Sequence, residues 1–301
     1  MKEKLLDFLK MNDVEYKENL WLKNYSSVKI GGTASLVLLP DTAEKTITAL
    51  DFLSESKIDH KVIGRLTNML IEDKTIDTIF IKTDNLRGVK MLEDGIRLYA
   101  GERLSVLSYL LAKEGVGDFS ALSGIPGSIG GMIKNNAGAF GIEISDVIKS
   151  VVVYSPMERR ILCLSAEDAK FGYRSSIFCS LPFVILYADF RIKHDMPEKL
   201  QKHIMEVKEK RMKTQPLEFP SLGSVFKRHT GDYAARLIDN ANLKGYAIGD
   251  AQVSQKHAGF IVNKGNATFE DFVSLVEYVK NVVFQKYGVL LEEEIEIYKG
   301  K

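Results

Sequence analysis

A chain of 301 residues, with 45% apolar and 27% charged side chains, has the size and composition of a folded protein of about two domains. A net charge of +1 gives no electrostatic reason to expect a nucleic acid or a membrane surface as partner, and no apolar run is long enough for a spanning helix. The two cysteines, Cys163 and Cys179, stand in no metal-ligand spacing, so we expect neither a metal site nor a disulfide framework.

Strand-like and helix-like segments alternate through the first two thirds of the chain. The N-terminal MKEKLLDFLKMNDVEYKENL carries charges throughout and lacks a signal-peptide core, so we expect a cytoplasmic protein. A helix from TAEKTITALDFLSES, capped by Asp41 or Thr42, separates two buried-strand candidates, SLVLLP (35–40) and KVIG (61–64). Further along the chain, TIDTIFIKT and GIRLYAG predict strands, and GERLSVLSYLLAKEGVG predicts an amphipathic helix. The segments VIKSVVVYS, RRILCL and FVILYADFRI then predict three strands of a mainly antiparallel or mixed sheet.

The last third of the chain begins after a charged helix. The sequence PEKLQKHIMEVKEKRMKT predicts that helix, and the two prolines of the following QPLEFP are the strongest domain-boundary signal in the chain. Beyond them, DYAARLIDNAN and TFEDFVSLVEYVKNVVFQKYG predict helices, and LLEEEIEIY predicts a terminal strand. On such a strand Glu292, Glu294 and Glu296 would share one face. The whole pattern indicates a mixed α/β protein.

Two glycine-bearing turns follow predicted strands. Residues 123–141, SGIPGSIGGMIKNNAGAFG, contain six glycines, and VIGRLTN (62–68) contains another. Glycine allows the main chain to approach a ligand closely, and consecutive amides in such turns can hold phosphate oxygens. The spacing G-x-x-G-x-x-G-G is neither the Rossmann fingerprint nor a P-loop, although residues 127–131 could open a short helix whose N-terminus adds positive charge. Tight turns without a ligand remain an alternative, but two such turns favour a cofactor that carries a pyrophosphate.

Six segments in a fixed order carry a family resemblance over nearly the whole chain. They are NYSSVKIGGTA (24–34), GIPGSIGGMIKNNAGAFG (124–141), FGYRSSIF (171–178), PSLGSVFK (220–227), LIDNANLKGYAIGDAQVSQKHAGFIVN (237–263) and YGVLLEEEI (287–295). Together they resemble the signatures of the UDP-N-acetylenolpyruvoylglucosamine reductases, which supply UDP-N-acetylmuramate for bacterial cell-wall synthesis. The short interval between Arg174 and Ser224 is similar to that of a shorter subclass, which lacks an inserted tyrosine-bearing loop.

The resemblance implies an α+β fold with FAD as cofactor. A two-subdomain FAD-binding fold of the vanillyl-alcohol oxidase type would occupy residues 1–82 and 83–206, and a C-terminal α/β substrate-binding domain would occupy residues 207–301. Because the turn at 64–68 contains neither histidine nor cysteine, we expect the flavin to be bound non-covalently. The residues implied as cofactor-binding are Gly64, Thr67, Asn68, Gly101, Ser123, Ile125, Pro126, Gly127, Ser128, Gly130, Gly131, Asn136, Gly138 and Ala139.

The resemblance also implies the chemistry. NADPH would reduce FAD, and hydride would then pass to the vinyl carbon of UDP-N-acetylglucosamine enolpyruvate, leaving a carbanion-like centre beside the carboxylate. Arg174 would stabilise the charge that spreads into the carboxylate, Glu294 would assist there, and Ser224 would donate the proton. A monomer acting on a small-molecule UDP-sugar is implied. The substrate-binding candidates are Tyr173, Arg211, Lys213, Arg228 and His257.

Three features, at four positions, depart from the family pattern. Leu66 stands where the first flavin turn has its second glycine, so we expect that turn to adopt another geometry. Arg228-His229 replaces Asn-Pro, and Asn135 replaces a methionine. These departures leave open a divergent paralogue with weakened or lost flavin or substrate binding, such as a non-catalytic binding or regulatory protein. Another non-covalent FAD oxidoreductase of the same fold is a separate alternative. Taken singly, Arg174 could also be an ordinary ion-pair residue and Glu294 a solvated one.

Overall fold

The computed structural model describes residues 2–117, 119–229 and 231–300. Within these ranges the α-helices are Lys2–Met11 (α1), Ala43–Glu55 (α2), Leu104–Lys113 (α3), Ile129–Lys134 (α4), Ile144–Val147 (α5), Ile177–Ser180 (α6), Pro197–Thr214 (α7), Ala234–Asn240 (α8) and Phe269–Tyr287 (α9). The strands are Tyr16–Trp21 (β1), Thr33–Leu38 (β2), His60–Ile63 (β3), Met69–Ile71 (β4), Thr75–Ile76 (β5), Ile79–Lys82 (β6), Val89–Leu92 (β7), Gly95–Tyr99 (β8), Gly138–Ala139 (β9), Ile142–Glu143 (β10), Ile148–Ser155 (β11), Arg160–Ser165 (β12), Val184–Phe190 (β13), Ser221–Ser224 (β14), Ala247–Ile248 (β15), Ala251–Val253 (β16), Phe260–Asn263 (β17) and Glu296–Tyr298 (β18). No helix in the described ranges is both long and apolar enough to cross a membrane.

The chain divides into two compact units, neither of which is continuous in sequence. The first comprises Met1–Glu18, Leu36–Arg65 and Thr78–Glu209, and the second comprises Asn19–Ser35, Leu66–Asp77 and Lys210–Lys301. The boundaries therefore fall inside β1, β2 and α7, and within the turn at 64–68. The three-part division at residues 82 and 206 stays a prediction.

In the first unit, parallel strands end at one edge where two turns lie side by side. Within this unit β6 pairs in parallel with β2 on one side and with β3 on the other. Because the carboxyl ends of parallel strands meet at the same edge of a sheet, the turns after β3 and β6 are neighbours. The Thr83 hydroxyl confirms this by donating to Ile63 O at 3.3 Å. The predicted helix α2 is present, and the Thr42 hydroxyl caps it by accepting from Lys45 N–H.

The same unit contains an antiparallel sheet in the order β12-β11-β13-β8-β7. The antiparallel arrangement that the sequence predicts for β11, β12 and β13 is confirmed. Residues 151–155 of β11 and 184–186 of β13 are buried in continuous runs, and Val151, Val153 and Leu186 join α2, α3 and α4 in one apolar core. This core supports the loop of residues 123–128 and the helix α4 that follows it.

In the second unit, an antiparallel sheet in the order β14-β17-β16-β15 packs with the long helix α9. A capping box of Thr268 and Asp271 begins α9, and Gly288, in the left-handed conformation with φ of +68°, ends it. The terminal strand β18 pairs in parallel with β4. This pairing fixes the end of the chain beside residues 69–71.

The predicted terminal strand is shorter than its sequence suggests. Regular strand structure begins only at Glu296, so the prediction that Glu292, Glu294 and Glu296 alternate on one face is wrong. Residues 292–295 are held by other contacts: Glu293 accepts a hydrogen bond from Lys280 Nζ at 2.7 Å, and Ile295 is buried. These residues do not alternate as in a strand, because each of them makes its own contact with a different part of the second unit.

Candidate cofactor and catalytic sites

The turn after β3 and the residue that begins α4 approach each other closely in the first unit. A Cβ atom built on Gly64 would lie 2.7 Å from Ser128 Oγ, so the absence of a side chain lets that hydroxyl reach the main chain of the turn. Gly101 lies against the backbone that follows β6, where an added Cβ would lie 2.8 Å from Asp84 O. The structure therefore brings three predicted cofactor residues, Gly64, Gly101 and Ser128, to one edge of the parallel sheet.

The short helix expected from the glycine motif is present as α4, but two of its first amides are already paired. Ile129 N–H donates to Glu102 O at 2.9 Å, and Gly130 N–H donates to Ala100 O at 2.9 Å. These two groups are consequently not available to an anion. A bound phosphate at this place would depend on the Ser128 hydroxyl and on main-chain groups of the adjoining turns.

A buried charge cluster adjoins the same edge. Lys82, at the end of β6, pairs with Asp84, and Arg65 Nη1 lies 3.3 Å from the same carboxylate oxygen, Asp84 Oδ2. Burial lowers the pKa of Lys82, and the carboxylate of Asp84 opposes that shift. Asp84 Oδ1 is buried and accepts no hydrogen bond from any described residue. Two cationic side chains thus contact one carboxylate at the edge where a pyrophosphate is expected.

Leu66 keeps the backbone conformation that glycine favours. Its φ is +52°, in the left-handed region, and its side chain is only 4% exposed. Its carbonyl accepts a hydrogen bond from Ser27 N–H at 3.2 Å. The expectation that leucine forces another backbone geometry is therefore wrong, because the burial of its side chain compensates for the steric cost of a left-handed conformation.

We expect Leu66→Gly to destabilise the protein. Relief of the left-handed strain contributes about 1 kcal/mol, whereas loss of a buried leucine side chain costs about 2–4 kcal/mol, so the free energy of unfolding should fall by about 2 kcal/mol. Urea denaturation measures it. Lys29→Gly is the matched control, since Lys29 has φ of +60° but is exposed. Equal results for the two variants would mean that burial of Leu66 contributes nothing.

The predicted catalytic arginine occupies a strained turn of the first unit. Gly172 N–H donates to Ser175 O at 3.0 Å and Ser175 N–H donates to Gly172 O at 3.1 Å, with Arg174 as the third residue at φ of +50°. The guanidinium Nη2 donates to Gly138 O at 3.3 Å and stacks with the Tyr173 ring, 5.3 Å from its centroid. Strain of this kind in a non-glycine residue is typical of functional positions.

Ser224 and Glu294 lie on bonded neighbouring segments of the second unit. Ser224 ends β14, and Glu294 N–H donates to the carbonyl of the next residue, Val225, at 2.7 Å. The Asn68 side chain donates to Glu294 O at 3.0 Å, and Glu296 N–H donates to Asn68 O at 2.9 Å. The peptide of Glu294 is thus fixed from both sides. Sequence analysis missed this role of Asn68, because no local signal reports a bond between residues 226 positions apart.

The remaining predicted cofactor residues belong to two loops, the helix α4 and the segment that forms the β9–β10 hairpin. Thr67 lies in the turn after β3, and Gly131 lies in α4. Gly138 and Ala139 form β9, which pairs with β10. Asn136 precedes that hairpin and is buried. The loop before α4 holds Ser123, Ile125, Pro126 and Gly127.

The predicted substrate residues differ in exposure. Arg211 is half-buried, and burial lowers the pKa of its guanidinium, whereas Lys213 is exposed. Residues two apart on a helix do not face the same direction, so α7 presents these two cations to different surroundings. Arg228 is exposed and lies over the Tyr233 ring, 5.0 Å from its centroid. Only Arg211 has the partial desolvation that strengthens an interaction with a diphosphate.

His257 is held as a neutral side chain. Burial is the main cause that lowers its pKa from 6.5, and the charge of Lys244 acts in the same direction. Its Nδ1 accepts a hydrogen bond from Gly259 N–H at 3.2 Å, and its ring meets Phe260 edge-on. Because Nδ1 is the acceptor, the neutral imidazole carries its proton on Nε2 and can donate one hydrogen bond there.

Because of His257, we expect the free energy of unfolding to decrease in mild acid. Because the pKa is lower in the folded state, the unfolded state binds a proton first as the pH falls below about 6.5, and the free energy of unfolding decreases until the folded-state pKa is passed. Denaturation curves at pH 7.5 and 5.5 measure this loss. His257→Asn offers an oxygen to Gly259 N–H but no titrating group, so its pH dependence should be smaller. An identical loss in the variant would contradict the assignment.

Family models, sequence relatives and a solved structure are similar to this chain. Residues 34–161 match the FAD binding domain family, and residues 215–298 match the C-terminal domain of UDP-N-acetylenolpyruvoylglucosamine reductase. The reductase of Petrotoga mobilis is 39% identical over 291 residues, covering 95% of each chain. That of Caldanaerobacter subterraneus is 39% identical over 299 residues, covering 99% of this chain and 98% of the relative. The crystal structure of the Thermus caldophilus reductase has a TM-score of 0.79 at 29% identity, over 95% of this chain and 98% of that one.

The fold, the glycine-lined edge and these matches define a flavoprotein: an FAD-binding domain followed by a second α/β region. The α+β fold class expected from the sequence is confirmed. More particularly, the chain belongs to the UDP-N-acetylenolpyruvoylglucosamine reductase family, as the sequence resemblance predicted.

The residues present also fit the cofactor that this family implies. Gly64 lets the Ser128 hydroxyl lie against the main chain of the turn, and the cationic groups Lys82 and Arg65 lie at the same edge. Both features suit a dinucleotide with a pyrophosphate.

Proposed function

We propose that this protein is the NADPH-dependent flavoenzyme that reduces UDP-N-acetylglucosamine enolpyruvate to UDP-N-acetylmuramate for peptidoglycan synthesis. The observation that carries the proposal is similarity to a reductase over 99% of this chain. The pairing of Glu294 with the residue after Ser224 supports it, because both positions match the family's catalytic residues.

FAD, when bound, carries a hydride from NADPH to the vinyl carbon of the substrate. We assign its pyrophosphate to the main chain and hydroxyl groups around Gly64 and Ser128. The buried Lys82 and the half-buried Arg65 add cationic groups at this edge, since a cation in a partly desolvated place attracts phosphate oxygens more strongly than it does in water.

Arg174 binds the substrate carboxylate. Its planar guanidinium offers two parallel donors, which match the two oxygens as negative charge spreads into them. A donor aimed at developing charge is worth about 10²–10³ in rate. The left-handed turn fixes the side chain before substrate arrives, so little reorganisation is needed during the reaction.

Ser224 donates the proton that completes the product, and Glu294 assists beside it. A hydroxyl is a weak acid, but a carbanion-like carbon is so basic that proton transfer is favourable when the two are in line. The backbone bonds from Val225 and Asn68 hold Glu294 in place for this assistance. The half-buried Arg211 and the neutral His257 complete the substrate contacts, with Arg211 at the diphosphate.

Further parts of the proposal concern the state of the protein. It works in the cytoplasm, where NADPH and nucleotide sugars are found, and it acts as a monomer. The cofactor subdomains are residues 1–82 and 83–206, and residues 207–301 bind the substrate.

The test is NADPH consumption by FAD-loaded protein with and without the enolpyruvyl-UDP-sugar. We expect rapid turnover only when the sugar is present, with UDP-N-acetylmuramate as the product. NADPH oxidation that ignores the sugar, or flavin that stays attached after denaturation, would indicate another oxidoreductase of the same fold. A colourless protein that does not take up FAD would indicate a paralogue that has lost the cofactor.

A further inference from the structure

Asn136, between α4 and β9, has its side chain engaged entirely inside the protein. It is 1% exposed. Its Nδ2 donates to Glu143 Oε2 at 2.7 Å and to Gly172 O at 3.0 Å, while its Oδ1 accepts from Ser145 N–H at 3.1 Å. An asparagine amide has two N–H donors, and both are used here. The side chain therefore has no donor left for a bound cofactor.

The Gly172 carbonyl links this amide to the turn that carries Arg174. The same oxygen accepts the Ser175 N–H that closes the turn. In that turn Arg174 has a left-handed backbone conformation, which costs a non-glycine residue about 1 kcal/mol or more. Such a conformation persists only when the surrounding contacts hold it, and Asn136 supplies one of them at the first residue of the turn.

The guanidinium of Arg174 is anchored on the same support. Its Nη2 donates to Gly138 O at 3.3 Å, and Gly138 pairs with Glu143 across the β9–β10 hairpin. Glu143 therefore contributes both the carboxylate that fixes Asn136 and the strand that pairs with the anchor of the guanidinium. The backbone and the head group of Arg174 are set by one hydrogen-bonded unit.

We propose that Asn136, held by Glu143, is a positioning residue for Arg174 and not a ligand of FAD. This inference rests on the proposed function, in which Arg174 binds the substrate carboxylate. The family resemblance places Asn136 among the cofactor residues, so the two assignments predict different results for the same variants.

Three variants separate the contacts. Asn136→Asp keeps the size of the side chain and the acceptor for Ser145 N–H, but it removes both donors and sets a second carboxylate against Glu143. Glu143→Gln is the matched control, because its amide oxygen can still accept from Asn136. The combined N136D/E143Q variant removes the repulsion and allows the new amide to donate to the new carboxylate, yet it cannot restore the bond to Gly172 O.

We expect FAD affinity, followed by fluorescence titration, and the rate of flavin reduction by NADPH to stay within about twofold in all three variants. Reoxidation of the reduced flavin by the enolpyruvyl-UDP-sugar should slow by about 10- to 100-fold in N136D and in N136D/E143Q, and not in E143Q, because a misplaced guanidinium loses its alignment with the carboxylate. In an Arg174→Ala background, N136D should slow this step no further, since the group through which Asn136 acts is gone.

Three results would overturn the inference. A loss of FAD affinity in N136D would make Asn136 a cofactor ligand. Equal slowing by N136D with and without Arg174 would make its effect independent of the arginine. Recovery of the sugar step in N136D/E143Q would show that only the pair with Glu143 matters.

Hydrogen exchange separates this inference from the proposed function. If the native protein does not react with the sugar, the proposed function fails, but exchange of the backbone amides at residues 172–176 still reports the turn. We expect faster exchange there in N136D and N136D/E143Q and native exchange in E143Q. Unchanged exchange in N136D would refute the positioning role.

Discussion

Ser224→Ala should slow reoxidation of the reduced flavin by the enolpyruvyl-UDP-sugar by about 10²–10⁴-fold, while NADPH reduces the flavin at the native rate. The reason is chemical: hydride transfer to the vinyl carbon creates a basic carbon that must be protonated, and no such carbon exists while NADPH is the partner. Stopped-flow absorbance of the flavin measures the two half-reactions separately.

Structural damage is excluded by a control on the same strand. Ser221→Ala removes a hydroxyl at the other end of β14 and should leave both half-reactions unchanged. The Ser224 variant should also keep the native urea midpoint, because Ser224 is only half-buried. A loss shared equally by the two half-reactions would mean that Ser224 acts on the flavin itself or on the fold.

Three acids stand in a row in the sequence, and each is bonded to a distant segment. Glu292 O accepts a hydrogen bond from Lys227 N–H, and the Glu293 side chain is paired with Lys280. The backbone of Glu294 is bonded to Val225 and Asn68. Because all three have such partners, the choice of Glu294 as the catalytic carboxylate rests on the family resemblance.

Local signals predicted most of the elements. Thr42 as an N-cap, the amphipathic pattern of α3 and the apolar runs of β11 and β13 are all local features, so the sequence displays them directly. The length of β18 was mispredicted because residues 292–295 are bonded to Phe226 and Asn68, which are distant in the sequence.

In the candidate site, too, local patterns could be predicted from the sequence and contacts between distant residues could not. Glycine spacing and family resemblance predict Gly64, Ser128, Arg174 and Ser224 as site residues. The residues that support the site could not be predicted from the sequence. In the sequence Lys82 is only the last residue of the buried strand IFIK, and Glu143 is only an acidic residue within GIEIS. What makes them relevant is a partner that the fold brings into contact, Asp84 for Lys82 and Asn136 for Glu143.

Two substitutions of Arg174 should slow the reaction equally but differ in their effect on stability. Arg174→Ala and Arg174→Gly both remove the guanidinium, so each should slow the sugar half-reaction by about 10²–10³-fold with NADPH reduction unchanged. Their stabilities should differ. At φ of +50°, alanine retains a left-handed strain of about 1–2 kcal/mol that glycine avoids, and glycine loses about 0.4–1 kcal/mol through the greater freedom of the unfolded chain.

Strain is the larger of these two effects, so the glycine variant should be the more stable by up to about 1 kcal/mol in urea denaturation. That outcome would show that the native turn keeps an unfavourable backbone for the sake of the side chain it presents, as expected where activity and stability compete. Equal stability of the two variants would mean that the turn relaxes once the arginine is gone. A glycine variant that still reacts with the sugar at the native rate would remove Arg174 from the mechanism.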